Sequence, residues 1–259
     1  MIDGHIHLEN GPLTIEYLEK FIDVAIKKDI KCIQILDHTH RFIEFRPIYE
    51  NVKNAAKVQE EWFLKKSKDS IEDYLKLIKL AREKEYPIEV KFGLEVCYTS
   101  QKEEETRNIL NNYKDKFDFI VGAVHSVYGL LYDMEKFSRE LLWNVYDTDD
   151  IYKEYYNQII KLMESDMFTQ VAHPDTIKLF NIYPTYDLTK TYNKIADLAL
   201  EKDLYLENNF GCYYRYNHKD PGLSKELKEL LLNKGVKIML ASDAHIPEHV
   251  GQCFELWTN

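Results

Sequence analysis

The chain opens with Asp3-Gly4-His5-Ile6-His7. In an extended backbone alternate side chains share a face, so His5 and His7 point the same way and can ligate one ion. Similar residues recur along the chain, at His38, Glu95, His125, His173, Glu207 and the Asp243-Ala244-His245 segment. Of nine histidines, six belong to this set. Gathering six imidazoles and several carboxylates in one cavity is costly unless cations compensate them. A donor set of imidazole and carboxylate without thiolate suits zinc, iron or manganese.

The elements that must position these groups alternate between two periods. Ile15, Leu18, Ile22, Ala25 and Ile26 recur at helical spacing behind Thr14, a capping residue. Lys31 to Leu36 is strand-like and leads to Asp37-His38, and Thr39 to Pro47 reads as a long loop. Asn51 to Lys65 is expected to be one helix. A second follows behind Ser70, with Asp73 placed to complete a capping box. Further strands are expected at Ile88 to Val96, Phe117 to Val124, Phe168 to Ala172, Leu204 to Glu207 and Val236 to Ala241, with an Asn208-Asn209 turn. Helices are expected at Glu103 to Tyr113, Asp150 to Met163, around Leu188 to Leu198, and from Ser224 to Leu232, where Gly235 ends the last one.

Seven strands alternating with helices imply a parallel α/β sheet, because parallel neighbours need a crossover, usually a helix. The polar residues fall at the C-terminal ends of different strands. A closed barrel collects those ends at one mouth, whereas an open sheet spreads them along an edge. The expected architecture is therefore a single distorted (β/α)7 barrel domain over residues 1–259, lacking an eighth unit.

Composition narrows the partners. With 44 acidic and 34 basic side chains the formal net charge is −10, which opposes non-specific binding to nucleic acid or anionic membrane. No stretch is apolar enough for a membrane span, and no basic-then-apolar leader precedes the first strand, so a cytoplasmic location is expected. Cys32, Cys97, Cys212 and Cys253 are isolated and suggest neither disulfides nor a thiolate zinc site. The oligomeric state leaves no trace in the pattern.

DGHIH at the start, LDH at 36–38, GLE at 93–95, GAVHS at 122–126, AHPD at 172–175 and SDAH at 242–245, in this order, resemble the PHP (polymerase and histidinol phosphatase) hydrolases. The stand-alone histidinol-phosphatase branch is the most similar. The resemblance implies a cluster of two or three divalent ions. His5, His7, Glu95 and Asp243 would hold one, with Glu95 bridging to a second held by His125 and His173, and His38 and His245 would hold a third. Members of the family commonly carry another histidine or a carboxylate several residues after the H-x-H pair. Here Glu9 lies one further repeat along the same face and either completes the third site or points to solvent.

The implied reaction is phosphomonoester hydrolysis, with metal-bound hydroxide attacking phosphorus in line. Asp243 or His245 would orient or deprotonate that water, and Glu95 would hold two ions together. The substrate implied by the resemblance is L-histidinol phosphate. Arg41 and Arg46, on the loop after the second strand, are candidate phosphate ligands by bidentate hydrogen bonds. Arg215, His40 and Asn209 are further candidates for the substrate mouth, while His218 and His249 are expected outside the ligand set. A phosphotyrosine-protein phosphatase on the same barrel is the runner-up. From another class, an amidohydrolase barrel also begins with H-x-H, but it expects eight units and often a metal-bridging lysine in mid-chain.

Overall fold

A computed structural model describes residues 1–257 of the chain. Its strands are β1 (Ile2–Ile6), β2 (Cys32–His38), β3 (Glu89–Cys97), β4 (Phe119–Ala123), β5 (Ser126–Val127), β6 (Leu130–Leu131), β7 (Gln170–Val171), β8 (Tyr205–Asn209) and β9 (Ile238–Ala241). Seven of them form one sheet in the order β1-β2-β3-β4-β7-β8-β9, every neighbouring pair parallel. The helices between them bury apolar faces on the sheet. That of Ile15–Lys27, for example, buries Leu18, Phe21, Ile22 and Ala25. Each of Leu18, Phe21 and Ile22 contributes about 1.5–3 kcal/mol by leaving water, and Ala25 less. Among the described residues no helix is long and apolar enough to cross a membrane.

The barrel is uneven around its circumference. β2 and β3 pair over seven residues, from Cys32 with Glu89 to His38 with Glu95, whereas β7 pairs with each neighbour over two residues. Between β9 and β1 there is no ladder, only the bridge of Ile6 with Ala244, where the His7 amide donates to the Ala244 carbonyl at 2.8 Å. Side chains complete the seam. The Asp3 carboxylate accepts from the Ser242 amide (2.9 Å), the Ser242 hydroxyl (2.6 Å) and the Gly251 amide (2.8 Å). Gly4 is required here, since a Cβ would stand 2.2 Å from Met239 Cγ.

Several elements differ from the sequence pattern. The expected helix over Asn51 to Lys65 is two, Glu50–Ala55 and Lys57–Lys66, because Ala56 is extended at φ −156°. Thr39 to Pro47 is not an open loop but consecutive 3-10 turns, Thr39–Arg41 and Ile43–Tyr49, that bury Phe45, Ile48 and Tyr49. Asn208 and Asn209 continue β8 instead of turning. Ser70 does cap Ile71–Arg82, but Glu44, not Asp73, completes that cap: its carboxylate takes the Ser70 hydroxyl (2.7 Å) and the Ile71 amide (2.9 Å). Thr14 caps the first helix as the pattern requires.

Candidate metal centre and substrate mouth

The strand register places the cluster. β2 ends at His38 directly opposite Glu95, two residues before β3 ends, and the β1 end sets His5 and His7 beside them. Glu95 lies at the hub. One carboxylate oxygen has His38 Nδ1 at 2.7 Å, His5 Nε2 at 3.3 Å and His7 Nε2 at 3.4 Å. The other has His173 Nε2 at 3.2 Å and His125 Nε2 at 3.4 Å. His5 and His7 present their Nε2 atoms to each other at 2.8 Å, and Asp243 Oδ1 is 3.5 Å from His7 Nε2. Three overlapping groups have ligand atoms close enough to share an ion: His5, His7 and Glu95; His38, Glu95 and His125; His7, His38 and His245.

These groups suit cations better than one another. Oε2 of Glu95 is buried without a hydrogen bond although His38 Nδ1 is 2.7 Å away. Lone pairs converging on one point in this manner are the geometry of co-ligands, not of donor and acceptor. Nδ1 of His7 and of His173 are likewise buried without a hydrogen bond, His7 having only Asp37 Oδ1 at 3.8 Å. Burial pushes the Glu95 carboxyl up, but the His38, His5 and His125 rings outweigh it and hold it well below the usual carboxylate range. Burial and the neighbouring His38 and His245 rings keep His7 from protonating, which leaves it a neutral ligand.

An outer layer fixes the rings. His5 Nδ1 lies 2.8 Å from Glu207 Oε1, and the same carboxylate accepts from Gln170 Nε2 (2.7 Å), the His173 amide (3.1 Å) and Asn209 Nδ2 (3.2 Å). A carboxylate behind a ligating imidazole sets its tautomer and orientation. Two residues of the cluster, His173 (φ 30°) and Asp243 (φ 56°), hold left-handed backbone conformations that are sparsely populated for such residues.

Above the cluster opens a cavity of about 290 Å³ whose lining includes His38, His125, His173, Asp243 and His245. Glu9 points into it, not to solvent: its carboxylate lies 3.2 Å from His40 Nε2, 3.2 Å from Lys66 Nζ and 3.6 Å from His245 Nε2. Asn209 and Arg215 also line the cavity. Arg215 donates to Asp243 Oδ2 at 2.5 Å and lies 2.9 Å from His245 Nδ1, while its Nε is buried without a partner.

Arg41 and Arg46 are not brought to this mouth, contrary to the reading of their loop. The 3-10 turns fold them back against the barrel wall. Arg41 gives Nη1 to Asp37 (2.7 Å), Nε to Asp69 (2.5 Å) and Nη2 to the Gly11 carbonyl (3.0 Å). Arg46 gives Nε to the Ser67 hydroxyl (3.0 Å) and Nη2 to its carbonyl (2.7 Å). Sequence reasoning also passed over Lys66, Asp133, Trp62 and Tyr216, which line the cavity from helices and a hairpin that carry no motif. His218 and His249 lie outside the cluster, against Tyr183 and Tyr214 respectively.

Residues 3–210 match the PHP domain family. The chain belongs to the PHP family. This PHP chain is 25% identical over 279 residues to the histidinol-phosphatase of Bacillus subtilis (strain 168), covering 98% of this chain and 96% of the relative. In structure it is similar to the hisK protein of Listeria monocytogenes, with a TM-score of 0.81, 20% identity and full coverage of both chains. It also matches the histidinol phosphate phosphatase of Lactococcus lactis, a structure complexed with zinc, L-histidinol and phosphate. That match has a TM-score of 0.64 and 16% identity, over 98% of this chain and 91% of the other. These structures share the nearly closed seven-stranded fold.

Proposed function

We propose that this PHP chain is a metal-dependent phosphomonoesterase that converts L-histidinol phosphate and water to L-histidinol and phosphate, as a single catalytic domain acting in the cytoplasm. The observation that carries the reading is the Glu95 hub, one buried carboxylate with five imidazole nitrogens 2.7–3.4 Å away. His5, His7, Glu95 and Asp243 would hold one ion; Glu95, His125 and His173 a second; His38, His245 and Glu9 a third. Such ions supply water activation near neutral pH and neutralise charge developing on phosphoryl oxygens.

The protein's own groups do the rest. Glu207 fixes the ring of His5, and His40 and Lys66 hold Glu9 with one oxygen turned toward His245. Asp243 sits where it can orient the attacking water, with Arg215 holding its other oxygen. Arg215 and Asn209, which line the cavity, would receive phosphate oxygens there. A cavity of about 290 Å³ suits a small metabolite more than a folded phosphoprotein.

The test is metal analysis of the purified protein followed by phosphate release from histidinol phosphate, p-nitrophenyl phosphate and a phosphotyrosine peptide. Bound zinc, iron or manganese with preference for histidinol phosphate is the expected result. Metal-replete protein that releases phosphate from none of the three would overturn the reading.

A further inference from the structure

Asp133 is a carboxylate beside the cluster: burial pushes it up, an effect that His125, His173 and His38 offset in part. It faces the cavity, belongs to none of the groups able to share an ion, and forms no hydrogen bond or ion pair with another side chain among the described residues. Apart from the rings of His125, His173 and His38, the cavity beside it is lined by Leu131, Met134, Leu179 and Tyr216. A partly buried carboxylate in such a setting is costly without a compensating cation. Among the described residues no Lys or Arg pairs with it.

Its position is built, not incidental. Asp133 follows the β5–β6 hairpin, and its flanks are tied down on both sides. The Leu131 amide donates to Gln59 Oε1 (2.8 Å), and the Ser138 hydroxyl donates to the Leu131 carbonyl (2.6 Å). The Met134 amide donates to Ser138 Oγ (2.8 Å), and the Trp143 indole to the Tyr132 carbonyl (3.0 Å). The Tyr132 amide reaches the carbonyl of His125 itself, at 3.2 Å. The segment that carries Asp133 is thus registered against a cluster residue. Rigid support of this kind characterises side chains that bind.

We propose that Asp133 selects the organic half of the substrate, its carboxylate receiving a protonated amine or imidazolium of a small phosphate monoester whose phosphate lies over the histidine cluster. The assignment rests on the phosphomonoesterase reading above and adds to it the residue that prefers a cationic leaving group. Aromatic Tyr216 and the apolar lining cover the carbon skeleton, and Asp133 supplies the single charge. Asp133 is a specificity residue in this scheme, not a ligand of the ions.

The experiment compares metal-loaded wild type with Asp133→Asn and Asp133→Glu on histidinol phosphate, whose organic half carries an ammonium, and on p-nitrophenyl phosphate, whose organic half is uncharged. Binding of histidinol is measured in parallel by calorimetry. Asp133→Asn should lose at least about tenfold in kcat/KM for histidinol phosphate, mainly through KM, and weaken histidinol binding similarly. Its kcat/KM for p-nitrophenyl phosphate and its metal content should stay within about twofold, and Asp133→Glu should recover part of the preference. Equal losses on both substrates, or no loss on either, would overturn the assignment. A wild type that hydrolyses p-nitrophenyl phosphate without preferring the ammonium-bearing ester would overturn it while leaving a phosphatase in place. Phosphate release from neither substrate would overturn both readings.

Discussion

Arg41 and Arg215 both follow a barrel strand and both face an aspartate, Arg41 buried and Arg215 partly exposed, yet they are opposite in what they offer a ligand. All three nitrogens of Arg41 already have protein acceptors, in Asp37, Asp69 and Gly11. Arg215 lines the cavity, has one nitrogen without a partner, and is held by two residues of the metal cluster. A guanidinium recognises phosphate through its free donors, so position after a strand is not enough. Saturation by the fold turns one arginine into a rivet, and its absence leaves the other with a donor the fold does not use.

That contrast can be broken most severely at the cluster beneath Arg215. Glu95→Gln should lower kcat/KM by on the order of a thousandfold, because one substitution weakens two ion sites at once. Elemental analysis should show the metal content fall with it, and full occupancy with normal turnover would remove Glu95 from the hub. Arg41→Ala comes next and acts on folding. It leaves the buried Asp37 carboxylate uncompensated and should cost about 3 kcal/mol in denaturant unfolding. Its KM should be unchanged; a raised KM with normal stability would return Arg41 to the mouth.

Arg215→Ala should reduce kcat/KM by roughly ten- to a hundredfold with a small change in melting temperature. Gly211→Ala should imitate part of that effect, since its Cβ would press on Asp243 Oδ2 at 2.7 Å and Arg215 Nη2 at 2.8 Å. Steady-state kinetics of the two variants side by side would show whether the pairing, and not only the charge, matters. Arg46→Ala is the mildest, about 1 kcal/mol of stability and no kinetic effect, because among the described residues its guanidinium reaches only Ser67.

What the sequence made legible was whatever strand periodicity controls. His5 and His7 share a face by alternation, and the apolar runs that reach His38, Glu95, Ala123 and Ala241 are the strands that deliver the cluster. The arginines were not legible, since donor saturation depends on Asp37, Asp69, Gly11 and Ser67, which meet them only after Thr39–Tyr49 winds into 3-10 turns. Asp133 was hidden for a related reason. The two-residue strands Ser126–Val127 and Leu130–Leu131 are too short to show alternation, and their register depends on Gln59, some 70 positions away. Glu207 stood at a strand end but gave no hint that it would back His5 instead of joining the ligands.

The join between β9 and β1 deserves a last consequence. His5 and His7 stand on one bank of it and Asp243 and His245 on the other, with one bridge and the Asp3 carboxylate spanning the gap. A cation shared by both banks would act as a clasp on the barrel. Thermal resistance would then rise with the supply of ions, and chelation would speed amide exchange in the first and last staves before the long β2–β3 pairing loosens.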